Sequence, residues 1–306
     1  MKKEIQNLAI RCIAAPLNER PAIAKQAGEL LKNAASFKTY AAFKRQFGLS
    51  YFASVNSSAK IEKSARKEVD TLILYLAASN NAGVELCKSA TRECRALCLV
   101  CSGRAKMESG RDHSKRRIAI ARVIKSWIMF YRSDIARAVL AHEIVGKQKS
   151  ALRKGRSFAC RLNGTSDIDH SKTIAAFPSV SFYDYTKNNL PDTLPANYSI
   201  TYSFANLSPG RVRQYRKAIS MGINIAVPVH ADAFERATSL PYAFDADRDD
   251  LRHLDAESGQ LAILKIKRSP NYESGKKSEF VLGFEGVREL ARLIGLGSLQ
   301  GNKLAA

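Results

Sequence analysis

The sequence lacks several features that would define a class of protein directly. None of its apolar runs reaches the roughly eighteen residues that a membrane-spanning helix needs. The patterns HExxH, GxSxG and GxxxxGK(S/T) are absent, which disfavours zinc peptidases, serine hydrolases and P-loop NTPases. No GxGxxG motif follows a candidate strand, so a dinucleotide-binding fold is also disfavoured.

The N-terminus offers no apolar segment of the kind that a signal peptide needs. Glu4, Arg11 and Glu19 interrupt it. We therefore predict a cytoplasmic protein that does not associate with a membrane.

Acidic residues are few in comparison with basic ones. The chain has 49 Lys and Arg and 28 Asp and Glu, which leaves a net charge of +21. Such an excess attracts polyanions, and the basic residues cluster at 111–117, 147–156 and 211–217. We predict binding to nucleic acid, either DNA or RNA. Tyr215 stands in the last cluster, where it could stack on a base or pack beneath the arginines. The candidate phosphate contacts are Arg116, Arg117, Arg211, Arg213 and Arg216.

The order of apolar segments predicts an α/β fold. Residues 1–65 are typical of a basic, helical N-terminal extension outside the core, and residues 66–306 of an α/β domain. In the latter, predicted strands (70–79, 157–164, 179–185, 197–204, 223–229, 261–267 and 279–284) alternate with predicted helices (114–132, 133–155, 207–222 and 286–297). This alternation favours a mostly parallel sheet in a (β/α)8-like, TIM-type barrel, whole or incomplete. A doubly wound open sheet is the alternative.

Two strand ends carry the polar residues on which chemistry could depend. Arg161 and Asn163 end one strand, and Asp167 follows after a turn at Gly164. Asp167 could be a functional carboxylate or the N-cap of a helix. The acid-rich run 244–255 has the composition of a solvated loop.

Asp184 lies near the end of the next predicted strand, between Tyr183 and Tyr185, with Lys187 just beyond. A charged side chain inside such a strand is costly unless it is paired or used. Asp184 is therefore either functional or the ion-pair partner of Arg161.

Four of the six cysteines, Cys87, Cys94, Cys98 and Cys101, fall within fifteen residues that follow the first predicted strand of the barrel. Thiolates suit zinc or an iron–sulfur cluster. The spacing C-x3-C-x2-C of the last three resembles the 4Fe–4S motif of radical-SAM enzymes, although Val100 stands where many of them carry an aromatic residue. A set of reduced thiols without a ligand is the remaining alternative.

The order of these motifs resembles a phage-encoded, DpdA-like family of deazapurine DNA modification, distant relatives of tRNA-guanine transglycosylase. The resemblance covers about residues 54–267. It rests on the strand LILYLAAS, the frame C-x6-C-x3-C-L with Gly103 after it, and the segments RLNGTSDI, FYDYTK and NYSITYSF.

The resemblance implies an enzyme that exchanges guanine in DNA for a 7-deazaguanine, such as 7-cyano-7-deazaguanine, and so protects phage DNA from restriction. Asp184 and Asp167 would form the required pair, one of them the nucleophile and the other the proton-transferring carboxylate. Substrate contacts would come from Arg161, Asn163, Tyr183, Tyr185 and Lys187, with Asn163 on the amide edge of the base and a tyrosine stacked on its ring.

In the resembled family the shared cysteine positions correspond to Cys87, Cys94 and Cys98, with Cys101 as the fourth candidate ligand. The structural zinc of the transglycosylases has a different ligand spacing that includes a histidine, so we expect zinc here with an iron–sulfur cluster as an equal alternative. The location would be the cytoplasm of the host. Two alternatives stay open. One is a radical-SAM-type enzyme with a 4Fe–4S cluster and S-adenosylmethionine, acting on nucleic acid. The other is a non-catalytic, zinc-containing protein that binds nucleic acid.

Overall fold

The computed structural model describes residues 1–34, 37–56, 68–98, 113–267 and 277–296. Cys101, Gly103 and residues 57–67, where the predicted extension meets the predicted barrel domain, lie outside these ranges. None of the described helices is both long and apolar enough to cross a membrane.

Helices account for much of the described chain, and their ends follow local signals. Thr39 accepts a hydrogen bond from the backbone N–H of Ala42 at the start of α3, and Gly48, at φ 65°, ends that helix. The described helices are α1 (Lys2–Ala14), α2 (Arg20–Lys32), α3 (Tyr40–Phe47), α4 (Arg92–Ala96), α5 (His113–Tyr131), α6 (Ser133–Leu152), α7 (Ser171–Ala175), α8 (Pro209–Ser220), α9 (Phe234–Thr238) and α10 (Phe284–Ile294).

A single sheet of eight strands organises the described residues. Its strands are β1 (Ser54–Val55), β2 (Val69–Ile73), β3 (Ser157–Arg161), β4 (Ser181–Thr186), β5 (Tyr198–Ser203), β6 (Ile225–Val229), β7 (Ala243–Asp245) and β8 (Leu261–Lys265). The order is β1-β2-β3-β4-β5-β6-β8-β7, and only the pairing of β1 with β2 is antiparallel. The prediction of an α/β fold with a mostly parallel sheet is confirmed.

The two faces of the sheet differ in what covers them. Leu72, Cys160 and Phe182 are register partners on the face that we call outer, where they pack in one hydrophobic cluster with α5 and α6. A second cluster joins the same face of β5, β6 and β8 to α8 and α10. The inner face carries a small cluster in which Tyr183 and its neighbours meet Leu251. The segment 246–257 lies against that inner face.

The N-terminal helices are part of the core, contrary to the expectation from sequence. Ile5, Ala24 and Phe43 are buried in the same cluster as Leu72 and Phe182. The N-terminal segment is helical as predicted, but α1 and α2 pack against α5, and α3 packs against α1.

One predicted strand is wrong. In 279–284 only Leu282 makes a sheet contact, an isolated bridge to Val229, and α10 begins at Phe284. The apolar residues that suggested a strand instead pack at the start of that helix, where Leu282 joins the second cluster. Strand β7 and helix α9 were not predicted from the sequence.

A buried carboxylate fastens the N-terminal part to α6. Glu143 accepts hydrogen bonds from the backbone N–H groups of Phe52 and Ala53, each 2.7 Å long, and from the hydroxyl of Tyr40. It is 5% exposed. No periodicity in the sequence identifies such a contact, because it joins residues about ninety positions apart.

Replacing Glu143 with Ala should lower the free energy of unfolding by about 3 kcal/mol, because two buried N–H groups lose their acceptor. Chemical denaturation measures the change. Glu29→Ala is the matched control, since Glu29 is an exposed helix residue paired with Lys32 and should cost less than about 0.5 kcal/mol. Equal losses in the two variants would contradict the structural role of Glu143.

Candidate functional site

Loops that follow the carboxyl ends of β2, β3 and β4 meet at one edge of the sheet. The backbone N–H of Asp167, after β3, donates to the carbonyl of Leu86, after β2, at 2.8 Å. The thiol of Cys87 lies 4.0 Å from the carbonyl oxygen of Thr165. In parallel sheets this edge is where reactive groups collect, because all strands deliver their following loops to it.

Asp167 joins the loop after β3 to the end of β4. Its carboxylate accepts hydrogen bonds from Thr186 Oγ1 at 2.7 Å, the backbone N–H of Lys187 at 2.8 Å and Asn188 Nδ2 at 3.0 Å. Burial raises its pKa, although these donors oppose the shift. The residue stays partly exposed. Asp167 is therefore not a helix N-cap, which its sequence position had allowed. Its carboxylate oxygens instead accept hydrogen bonds from residues at the end of β4 and just beyond it.

Asp184 lies on the outer face of β4 and is 1% exposed. Its Oδ1 accepts the backbone N–H of Asn163 at 2.7 Å, and the hydroxyl of Tyr198 lies 3.4 Å from its Oδ2. Burial raises the pKa of Asp184 to about 7, and the nearby charge of Asp167 adds to the shift. The structure thus brings the two predicted carboxylates together and leaves one of them able to change protonation near neutral pH.

Asn163 is occupied within its own loop. Its Oδ1 accepts from Ser166 Oγ and from the backbone N–H of Ile168, and its Nδ2 donates to the carbonyl of Ile168 at 3.0 Å. The following Gly164 permits a close approach, because a Cβ there would stand 2.8 Å from the carbonyl oxygen of Leu74. In this conformation the asparagine shapes the loop that covers Asp184.

Arg161, Tyr183 and Tyr185 lie on the inner face, separated by the sheet from the side chain of Asp184. Successive strand residues point to opposite faces, so Asp184 cannot share a face with the tyrosines beside it. The hydroxyl of Tyr185 is 3.4 Å from Asp250, and the ring of Tyr183 stacks on His253 at a centroid distance of 4.7 Å.

Arg161 forms its ion pair with Asp250, which corrects the alternative that paired it with Asp184. Arg161 Nη1 donates to Asp250 Oδ2, and the guanidinium lies 4.8 Å from the centroid of the Tyr185 ring. Asp250 is 6% exposed. The sequence suggested that the segment containing Asp250 is a solvated loop. A buried, inward-facing Arg161 needs a counter-charge, and this requirement was the only indication of the pair in the sequence.

Three of the predicted metal ligands are neighbours. Cys87, Cys94 and Cys98 are partly buried cysteines, and the backbone N–H of Cys94 donates to Thr91 Oγ1 at 3.2 Å. Burial raises the pKa of Cys87 to about 12, and the charges of Cys98, Asp167 and Cys94 contribute to the shift. Soft sulfur donors with a carboxylate nearby suit zinc. As they stand, no three His, Cys, Asp or Glu side chains of the described ranges are arranged to hold a metal ion.

The predicted phosphate contacts have different surroundings. Arg211 links two loops, since its guanidinium donates to the carbonyl oxygens of Ser89 and Lys187 at 2.8 and 2.6 Å. Arg216 Nε donates to the carbonyl of Leu293 at 2.8 Å. Arg213 and Arg117 are exposed, and Arg116 lies in the first turns of α5.

Two further predicted residues, Tyr215 and Lys187, lie near the same edge of the sheet. Tyr215 is fully buried, with its hydroxyl donating to the carbonyl of Asn206, so it packs beneath the arginines and does not offer a stacking surface. The ammonium of Lys187 lies 5.3 Å from the centroid of the Phe280 ring.

Fold and site together define an α/β protein with a carboxylate pair at the carboxyl edge of a mostly parallel sheet. Residues 52–281 match the family model described as gene product 88, GP88. The chain belongs to this family, and the match begins after α3. No curated protein and no solved structure gives a significant match.

The pKa of Asp184 predicts a dependence of stability on pH. The folded protein holds this proton up to about pH 7, whereas an ordinary aspartate releases it near 3.8, so stability should fall as pH rises between these values. Asp184→Asn removes the effect. The unfolding free energy of Asp184→Asn minus that of the wild type should therefore increase with pH, by at most about 1.4 kcal/mol per unit.

Urea denaturation at several pH values measures this difference. Asp192→Asn, at a side chain that is 97% exposed, is the control and should give a small difference without that upward trend. A flat profile for Asp184→Asn would show that Asp184 ionises normally.

Proposed function

We propose that the chain is an enzyme that exchanges guanine in DNA for a 7-deazaguanine such as 7-cyano-7-deazaguanine. The observation that carries the proposal is the pair of neighbouring carboxylates, Asp167 and Asp184, at the carboxyl ends of adjacent parallel strands. Base exchange at a sugar needs two carboxyl groups with different tasks, and these two differ in accessibility and in protonation.

Asp167 is the better candidate for the nucleophile because it is the more exposed of the two. Its carboxylate would attack the anomeric carbon C1′ and break the bond from C1′ to the base nitrogen. The departing guanine takes the electron pair of that bond and a proton from Asp184. The incoming deazaguanine then loses its ring N–H proton to Asp184, and its nitrogen displaces Asp167 from C1′.

Asp184 suits the proton transfer because a general acid and base works best when its pKa lies near the working pH. Its pKa of about 7 meets that condition. The side chain is enclosed by the loop containing Asn163, so this loop would move aside when the substrate enters.

DNA would approach the same edge. Besides the net charge of +21, exposed basic residues stand on the segments that follow the carboxyl ends of β2, β3 and β5. They are Lys88, Arg92, Lys172 and Arg213. Because a duplex hides the bond between sugar and base, the target nucleotide would be flipped out of the stack before reaction.

The strand order supports a barrel-like course of the sheet. From β1 to β6 the order rises with the chain, and the hydrophobic clusters join helices to the outer face. Right-handed crossovers with a rising order produce this arrangement in (β/α)8 barrels. We infer an incomplete barrel whose inner face is filled by the segment 246–257.

Zinc on Cys87, Cys94 and Cys98 is part of the proposal. Its role would be structural, holding the loop after β2 against Asp167, since a closed thiolate site leaves no position for substrate. Cys101 is the candidate fourth ligand.

Purified protein should therefore contain about one zinc ion per chain, measured by mass spectrometry of the metal. Cys87→Ser, Cys94→Ser and Cys98→Ser should each lose it. Cys12→Ser is the control, because Cys12 is buried within α1. Iron with acid-labile sulfide and visible absorbance would instead support the radical-SAM alternative, and protein free of metal would contradict both.

Incorporation of labelled 7-cyano-7-deazaguanine into DNA tests the reaction. Asp167→Asn should abolish incorporation, and Asp184→Asn should lower it by roughly 10²- to 10⁴-fold, the usual contribution of a positioned proton donor. Asp169→Asn is the matched control from the same loop, since Asp169 is exposed and accepts hydrogen bonds from Ser171.

Each outcome of this assay has a defined meaning. Label in RNA but not in DNA would correct the substrate. Full activity of Asp167→Asn would overturn the assignment of the nucleophile, and no incorporation by the wild-type protein into either polymer would overturn the proposed function.

A further inference from the structure

Two tyrosines lie at the carboxyl edge of the sheet, next to its antiparallel strand pair. Ser54 of β1 is the register partner of Ile73 of β2. Because the two strands run in opposite directions, the segment before β1 and the segment after β2 reach the same edge. These segments carry Tyr51 and Tyr75. Tyr51 is 48% exposed and Tyr75 is partly exposed, so both rings can be reached from solvent.

A cation from α5 lies against each of the two rings. The ammonium of Lys125 is 4.5 Å from the centroid of the Tyr51 ring, and the guanidinium of Arg122 is 5.3 Å from that of Tyr75. Both distances are in the range of a cation–π contact. Arg122 and Lys125 are three residues apart and therefore share one face of the helix. We call Tyr51, Tyr75, Arg122 and Lys125 the tyrosine surface.

The positive charge of this surface favours an anionic ligand. Lys125 is 5% exposed, and burial lowers its pKa to about 8; the charge of Glu143 opposes that shift and the charge of Arg122 adds to it. The carboxylate of Glu143 already accepts three hydrogen bonds within the protein. A phosphate beside Arg122 and Lys125 would stabilise the charged forms of both side chains.

The tyrosine surface adjoins the loop that encloses Asp184. A Cβ atom at Gly164 would stand 3.0 Å from Cδ1 of Tyr75, so the ring lies directly against the turn after β3. The residue before that turn, Asn163, donates its backbone N–H to Asp184. A ligand lying on the two tyrosines would therefore reach the loop that covers the carboxylate pair.

Accessible aromatic rings combined with cations suit an unpaired polynucleotide. The bases of a single strand stack on aromatic side chains, while its phosphates contact lysine and arginine. In a duplex the base faces are stacked on one another, and only the phosphates would meet this surface. The two tyrosines are therefore useful to a single strand and not to a duplex.

We propose that the tyrosine surface binds single-stranded DNA beside the target nucleotide, with bases stacked on Tyr51 and Tyr75 and phosphates next to Arg122 and Lys125. The choice of DNA rests on the proposed function, whereas the choice of a single strand rests on the two rings. On a single strand the target base also leaves its neighbours at a lower cost than in a duplex.

Fluorescence anisotropy of the full chain with a labelled DNA oligonucleotide tests the proposal. The single strand should bind about tenfold or more tightly than the duplex of the same sequence. Tyr51→Ala and Tyr75→Ala should each weaken single-strand binding by about fivefold or more, the effect of losing one stacked base. Tyr51→Phe keeps the ring and should bind like the wild type. Phe130→Ala is the matched control, since Phe130 is a 53% exposed aromatic residue of α5 whose ring contacts Tyr131.

The salt dependence of binding tests the phosphate contact separately. Arg122→Gln should reduce the slope of the logarithm of affinity against the logarithm of salt concentration by about 0.7, the value for one phosphate of a single strand. An unchanged slope would contradict the role of Arg122.

Three further results would overturn the proposal: equal affinity for single strand and duplex, wild-type affinity in both alanine variants, or tighter binding of single-stranded RNA than of DNA. If Tyr75→Ala fails to fold, Tyr51→Ala decides the question, because Tyr51 is exposed. Selective binding of single strands without incorporation of deazaguanine would contradict the proposed function alone. Incorporation of deazaguanine by a protein that binds single strand and duplex alike would contradict this inference alone.

Discussion

The carboxylate of Asp167 holds together the edge at which the loops meet. It accepts hydrogen bonds from the end of β4, while its own backbone N–H donates to the loop after β2. Three segments distant in sequence are therefore joined at one residue. Removing a partly buried acceptor of this kind leaves several donors without their partner, so the geometry of this edge depends on it. The loop after β2, next to Cys87, and the backbone of Lys187 both bond to this residue directly.

The alternation of side chains along β4 divides the candidate residues into two groups. Asp184 belongs to the outer face with Asp167 nearby, whereas Tyr183 and Tyr185 belong to the inner face with Arg161 and the segment 246–257. A parallel strand has only these two directions. In the short stretch FYDYT, the carboxylate and the two tyrosines therefore contribute to opposite faces of the sheet.

Local patterns in the sequence predicted most of the regular structure. Six of the seven predicted strands and the four helices predicted beyond residue 66 are present, because apolar periodicity reflects burial on a sheet or a helix face. The pattern misled at 279–284, where the apolar residues pack at the start of a helix. Strand β7 is three residues long and too short to give a signal of its own.

The candidate site was predictable only in part. Strand ends identified Asp167 and Asp184, since both follow from the position of polar residues after apolar runs. The pairing of Arg161 with Asp250 was not accessible, because eighty-nine positions separate them and no local pattern encodes such a contact. The sequence did allow one prediction about β4: because side chains alternate along a strand, Tyr183 and Tyr185 must face away from Asp184. The acidic run 244–255 looked solvated because composition cannot distinguish an exposed carboxylate from a buried one such as Asp250.

The bonds of Arg211 have a consequence for variation in this protein. Its guanidinium reaches the loops after β2 and β4 through main-chain oxygens, those of Ser89 and Lys187. A main-chain acceptor is the same whichever amino acid supplies it. Side chains at positions 89 and 187 can therefore change freely without loosening the connection, whereas a lysine in place of Arg211 would lack the forked donor that spans both oxygens.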